Sequence, residues 1–193
     1  YGATNGVASG AQEGSRDRVP TYNDIRLQQY ALMAFGYDGI SLFCYGSPAA
    51  GGEFSLSQTG IIDRNGNKTE TYEAVKKANN ELLSFDHVLK QFNWQGVFTC
   101  DAGKTLTGTS TTSNASFKTL DRISVANVSS LSKVSASADT LCGYFKDAAG
   151  NDGIMVVNYN ETTENLTDTV ELTFDSSKYN AAVCYVGGVK KVF

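Results

Sequence analysis

Ionisable and nucleophilic side chains are thinly spread in this sequence, and their spacing excludes more chemistry than it suggests. Cys44, Cys100, Cys142 and Cys184 lie far apart, with no CxxC pair, and His87 is the only histidine. A zinc site of the usual Cys/His kind is therefore not expected. Each Cys sits in an apolar run that reads as a strand, so four buried free thiols are expected. Disulfides are the alternative if the protein is secreted. Glu53 and Asp63 fall in or after a long glycine-bearing loop, where an acid faces either a substrate or only solvent; the second is expected. Arg18 is expected to pair with Asp24 or Glu13. His87 stands late in a helix, where a cation suits the dipole. No catalytic residue, metal site or cofactor is assigned. Phe43 and Tyr45 are different, because they alternate with Cys44 in a short apolar run. In a strand they share one face.

The 193 residues suffice for one domain, or for one domain and part of another. Hydrophobic residues at 41% and charged residues at 19% give an ordinary globular balance. Nineteen glycines and twenty Tyr and Phe residues suit β-structure with many turns. Net charge is −4, and no basic stripe exists, so nucleic acid is not an expected partner. No run of about 18 apolar residues marks a membrane span. The chain opens on Tyr1, which suggests a cut-down or incomplete reading frame. Asn-x-Ser/Thr triplets at Asn67, Asn114, Asn127, Asn160 and Asn165 matter only where the source glycosylates.

Several elements must position these residues. Residues 1–20 read as a loop. Thr21 to Asp24 is a capping-box pattern opening a helix to Phe35, with Ile25, Gln28, Leu32 and Phe35 on one face. Gly36 is its expected stop. Gly39–Tyr45 reads as a buried strand, and 46–68 as a long loop with a turn at Asp63–Gly66. A second helix is expected from Thr69 to about Lys90, with Tyr72, Val75, Asn79 and Leu82 near helical spacing. Beyond residue 94 the period shortens. Strands are expected at 96–100, 123–128, 134–138, 140–146, 154–159, 169–174, 181–186 and 189–193, with a hairpin loop at 147–153. The fold class is α+β: helix, strand and helix over 1–93, then an antiparallel β-sandwich over 94–193.

Arg18-Val19-Pro20-Thr21, Asp24-Ile25-Arg26 and the helix through Ala34-Phe35-Gly36 are followed by Gly39-Ile40-Ser41-Leu42-Phe43. This order resembles the seventh helix and eighth strand of (β/α)8-barrel glycoside hydrolases, the β-galactosidase-like ones among them. Asp24 stands where Glu is commoner. Gly60-Ile61-Ile62-Asp63, Gly66, Thr69, Tyr72, Val75, Lys76, Asn79 and Glu81 are similar to the entry into the family's eighth helix. Residues 140–193 resemble, more loosely, the β-domain that often follows.

The resemblance implies a partial barrel end and a carbohydrate substrate. Hydrolysis there takes two carboxylates flanking the glycosidic bond. In barrels of this topology they stand on the fourth and seventh strands, outside the matched region. A complete barrel takes ~250 residues. The chain alone is therefore expected to be inactive. What carries over is the rim of the eighth strand, where Tyr45 and, less strongly, Phe43 would stack on a sugar; the alternative is core packing for both. The competing function is a non-catalytic sandwich module that binds carbohydrate or a partner. Homo-oligomers are expected through surfaces that a full barrel would cover.

Overall fold

The structure is a computed structural model and describes residues 19–47, 60–110, 122–160 and 167–193. It is an α+β protein with antiparallel sheets. The helices are α1 (Tyr22–Ala34), α2 (Glu70–Leu83) and the one-turn α3 (Asp86–Leu89). The strands are β1 (Phe92–Cys100), β2 (Lys104–Thr107), β3 (Leu131–Ala136), β4 (Thr140–Asp147), β5 (Asp152–Asn158), β6 (Val170–Phe174), β7 (Val183–Val186) and β8 (Val189–Val192). They form the sheets β1–β4–β5 and β2–β3–β6 and the hairpin β7–β8.

The two three-stranded sheets enclose one core. Phe98, Cys100, Cys142 and Tyr144 come from the first, and Leu106, Leu131 and Val134 from the second. The first sheet is also covered on its other face. There Val97, Leu141 and Val157 pack against Ala34, with Leu27, Tyr30 and Ala31 of α1 around them. Burial on both faces explains why β4 is apolar almost throughout rather than alternating.

Local signals explain the ends of α1. The Thr21 hydroxyl accepts from Asp24 N, and an Asp24 carboxylate oxygen accepts from Thr21 N at 2.7 Å, a complete capping box. Gly36 ends the helix at φ 82°. Trp94 holds that end in place: its indole nitrogen donates to Ala34 O at 3.0 Å, satisfying a carbonyl the helix leaves open. Trp94→Phe keeps the ring but removes this donor. The expected cost is about 1 kcal/mol, seen as a fall of about 3 °C in thermal midpoint.

Three expected elements differ. The run 39–45 is not a strand; its one described pairing nearby is the isolated bridge Gly46–Ile62. A strand needs a ladder, and the apolar run by itself does not supply one. The Phe43–Cys44 peptide is cis. The second helix breaks at Ser84–Phe85, where the Ser84 hydroxyl donates to Glu81 O at 2.6 Å and the chain re-enters α3. The run 123–128 contains a 3-10 turn at Val125–Asn127 instead of a strand. Asn127 Oδ1 accepts from both Ser124 N and Ser124 Oγ at 2.9 Å, closing the turn. Val125 and Val128 still enter the sandwich core from it.

Candidate functional site

The segment carrying Phe43 and Tyr45 leaves α1 and runs beside residues 60–62. Ile62 N donates to Tyr45 O and Ser47 N donates to Ile62 O, both at 2.8 Å. Gly60 permits this approach, because a Cβ there would sit 2.5 Å from Ser47 N. Leu42 and Ile61 turn inward onto Ile25, Val75 and Ala78 between α1 and α2. With Leu42 inside and Cys44 half-buried, the intervening rings point outward: Phe43 is 61% and Tyr45 69% exposed. Neither ring is core packing. Two exposed aromatic faces this close can cover the apolar face of a flat ligand. Tyr37, just past α1, is exposed as well.

Other sequence candidates fall elsewhere. Asp63 is a turn residue: Oδ1 accepts from Asn65 N and Asn67 N, both at 2.8 Å, and Oδ2 from the Asn67 amide at 3.0 Å. The Asn67 side-chain and backbone donors hold its carboxyl below the ordinary range. His87 lies in α3 with its ring edge-on to Tyr185, 6.4 Å between centroids. Arg18 and Glu53 lie outside the described residues. All four cysteines are free. Cys100 and Cys142 are buried in the sandwich core, where desolvation pushes their thiols up, while Cys44 and Cys184 are half-buried.

The polar centre that sequence spacing left unnoticed is Glu81. Its side chain is 5% exposed and lies against α1. Arg26 Nη2 and the Tyr30 hydroxyl donate to Oε1 at 2.8 and 3.0 Å, and the Tyr22 hydroxyl donates to Oε2. Arg26 also stacks over the Tyr22 and Tyr30 rings, 5.2 and 5.6 Å from their centroids. One position along α2, Asn79 accepts from Gln29 at 2.8 Å. Burial opposes the Glu81 charge, but the bonds from Tyr22 and Arg26, the guanidinium charge and the Tyr30 bond outweigh it. Its carboxyl is held below the ordinary 4.5. Burial, then the bond to Glu81, pushes Tyr22 up to about 12; Tyr30 rises through burial and the Glu81 charge. The available sequence signal was Tyr22, Arg26 and Tyr30 at i, i+4, i+8 on one helix face.

Asp152 is the second sequestered acid. It accepts from Tyr144 Oη at 2.7 Å, Ser129 Oγ at 2.8 Å and Ser130 N at 2.7 Å, with Lys146 Nζ 3.3 Å away. Lys146 Nζ is also 3.3 Å from Ser129 Oγ. This is not an activated Ser–Lys pair. The bond with Tyr144, then that with Asp152, raises the Lys146 pKa, so the amine stays charged and accepts no proton. A glycosidase acid needs the opposite environment to these carboxyls, a raised pKa. Asp63, Glu81 and Asp152 are all lowered and committed to the fold.

The sandwich offers no aromatic platform on its open sheet face. Among the described residues, the outer side of β2–β3–β6 carries Thr105, Lys133, Ser135, Glu171 and Thr173. A shallow hollow of about 240 Å³ there is lined by Lys104, Thr105, Ser135 and Glu171 among others, with no ring. No group of His, Cys, Asp or Glu among the described residues is placed to hold a metal ion. No described helix is long and apolar enough to cross a membrane. Comparison with protein families, curated proteins and solved structures finds no match to this chain.

Proposed function

We propose that this chain is the closing part of a barrel-type glycoside hydrolase followed by a β-sandwich domain. Phe43 and Tyr45 form a sugar-stacking platform at its rim. The observation that carries this reading is a division of labour within the matched segment. Arg26, Asn79 and Glu81, three of the spaced residues, tie α1 to α2, while Phe43 and Tyr45 between them stand exposed. No described carboxyl is tuned as a catalytic acid, so the paired acids would come from strands outside this sequence. The chain by itself binds carbohydrate without cleaving it. Self-association belongs to the same reading, because exposed Leu32 and Leu83 would be covered in a complete barrel.

The test is a titration of the purified chain against a panel of glycans, repeated with Tyr45→Ala and Phe43→Ala. Removing one ring takes away ~50 Å² of apolar contact, so Tyr45→Ala weakens sugar binding about tenfold. Both variants keep the parental unfolding midpoint, since the rings are exposed. Flat titrations across the panel contradict the sugar assignment. Robust hydrolysis by the chain alone contradicts the assignment of the acids to other strands.

A further inference from the structure

The last two strands form a sheet of their own. β7 and β8 pair from Val183–Val192 to Val186–Val189, and Gly187 and Gly188 turn the chain at φ 56° and 80°. Two positive φ values make a type I′ turn, whose twist suits a tight hairpin. A two-stranded sheet alone is marginal in water. This one touches the helices through Tyr185, 6.0 Å from the Phe85 ring, yet Val183, Val186, Val189, Val192 and Phe193 are more than half exposed.

The ladder tells where its open backbone groups point. Ala182 and Phe193 exchange both backbone hydrogen bonds at 2.9 Å. Opposed residues of an antiparallel pair alternate between bonded and non-bonded positions. Lys190 and Val192 therefore occupy non-bonded positions, and their N–H and C=O groups point away from β7. Among the described residues no strand lies on that side.

We propose that this outer edge of β8 receives a strand from another polypeptide, an extended segment with two adjacent acids flanked by apolar residues. Charge complementarity selects this occupant. From Ser176 to Phe193 the sequence has Lys178, Lys190 and Lys191 and no acid, in a chain of net charge −4. Strand β8 reads Val189-Lys190-Lys191-Val192, so its antiparallel complement is apolar, acidic, acidic, apolar. Each acid then opposes a lysine, and each apolar side chain covers a valine. The two lysines also select against a second copy, because two-fold pairing of β8 with itself brings like charges together. Main-chain bonds supply attachment and the Lys pair supplies specificity, the usual division in strand addition.

The test uses the full chain, ¹⁵N-labelled, titrated with the capped peptide Thr-Val-Glu-Glu-Val-Thr and with its Lys-Lys counterpart. The acidic peptide shifts the Lys190 and Val192 amides and slows their exchange; the basic one does not. Lys190→Glu with Lys191→Glu weakens the acidic peptide roughly fivefold or more and admits the basic one. Val192→Pro removes an outward N–H while sparing the inward ladder bonds, and it weakens the acidic peptide as well. The proposal is overturned if the acidic peptide leaves these amides unmoved or if both peptides bind alike. It is also overturned if the amides become protected as the chain alone is concentrated and dimerises.

Discussion

Gly143→Ala will dislodge α1 from the sheet and cost about 3 kcal/mol, the upper range for overpacking a filled core. A Cβ on Gly143 would lie 2.4 Å from Ala34 O and 2.7 Å from Ala34 Cα, both backbone atoms that no rotamer change can move. Strand β4 cannot yield, because Gly143 is held between Val97 of β1 and Met155 of β5. The helix must rise instead, opening the layer of Val97, Leu141, Val157 and Ala34 to water. Trp94 reports this directly, since its indole is tied to Ala34 O. The variant will show a red-shifted Trp emission together with a lower urea midpoint. An unchanged emission maximum with a loss under 0.5 kcal/mol, the size of an ordinary surface change, would contradict this packing.

Glu81→Ala is the second large effect, expected at about 3 kcal/mol. The carboxylate compensates the Arg26 guanidinium and two tyrosine hydroxyls between the helices. Without it these donors remain in a half-buried site with nothing to accept from them, which costs more than the bonds were worth. Asn79→Ala, which removes only the acceptor for Gln29, should cost about 1 kcal/mol. The pH dependence has a definite sign. The folded Glu81 carboxyl titrates below 4.5, so its contribution is present above that pH and fades as the pH falls through the lowered value. Tyr22 is raised from 10.0 to about 12, so its contribution is full below 10 and fades as the pH climbs through 12. Urea midpoints should be flat between about pH 5 and 9.5. In Glu81→Ala the acid limb contributed by this residue disappears.

Much of the fold was readable where the signal is local. The Thr21–Asp24 box and Gly36 bound α1 as expected. The loops beginning at Asp63 and Asp147 share the spacing Asp-x-x-Gly-Asn and the same bonds: one oxygen accepts two backbone N–H groups, and the other accepts the Asn amide. The strands from β3 onward fall near their expected places because each is short, apolar and bounded by turns. The helix faces were less legible. The expected stripe of α1 was Ile25, Gln28, Leu32 and Phe35, whereas Asp24, Ile25, Gln29, Met33 and Ala34 are buried and Leu32 is exposed. The helix serves two surfaces: Tyr22 and Ile25 face α2, and Leu27, Tyr30, Ala31 and Ala34 face the sheet. A single-stripe reading cannot resolve two. In α2 the buried set is Thr71, Val75, Ala78 and Glu81, so an acid occupies a position that periodicity assigns to an apolar residue. Its partners are 51 to 59 residues away, and only the folded chain brings them together.

The aromatic pair was visible through its alternation about Cys44; the apolar run around it suggested burial that only its alternate residues achieve. The most direct measurement of the carbohydrate assignment is a chemical-shift map of the chain with whichever glycan of the panel binds best. The expected map centres on Phe43, Tyr45 and the adjoining Gly46–Ile62 bridge, and it vanishes in the Tyr45→Ala, Phe43→Ala double variant. Shifts centred instead on Ser135 and Glu171 of the outer sandwich face, or no shifts with any glycan, would contradict it.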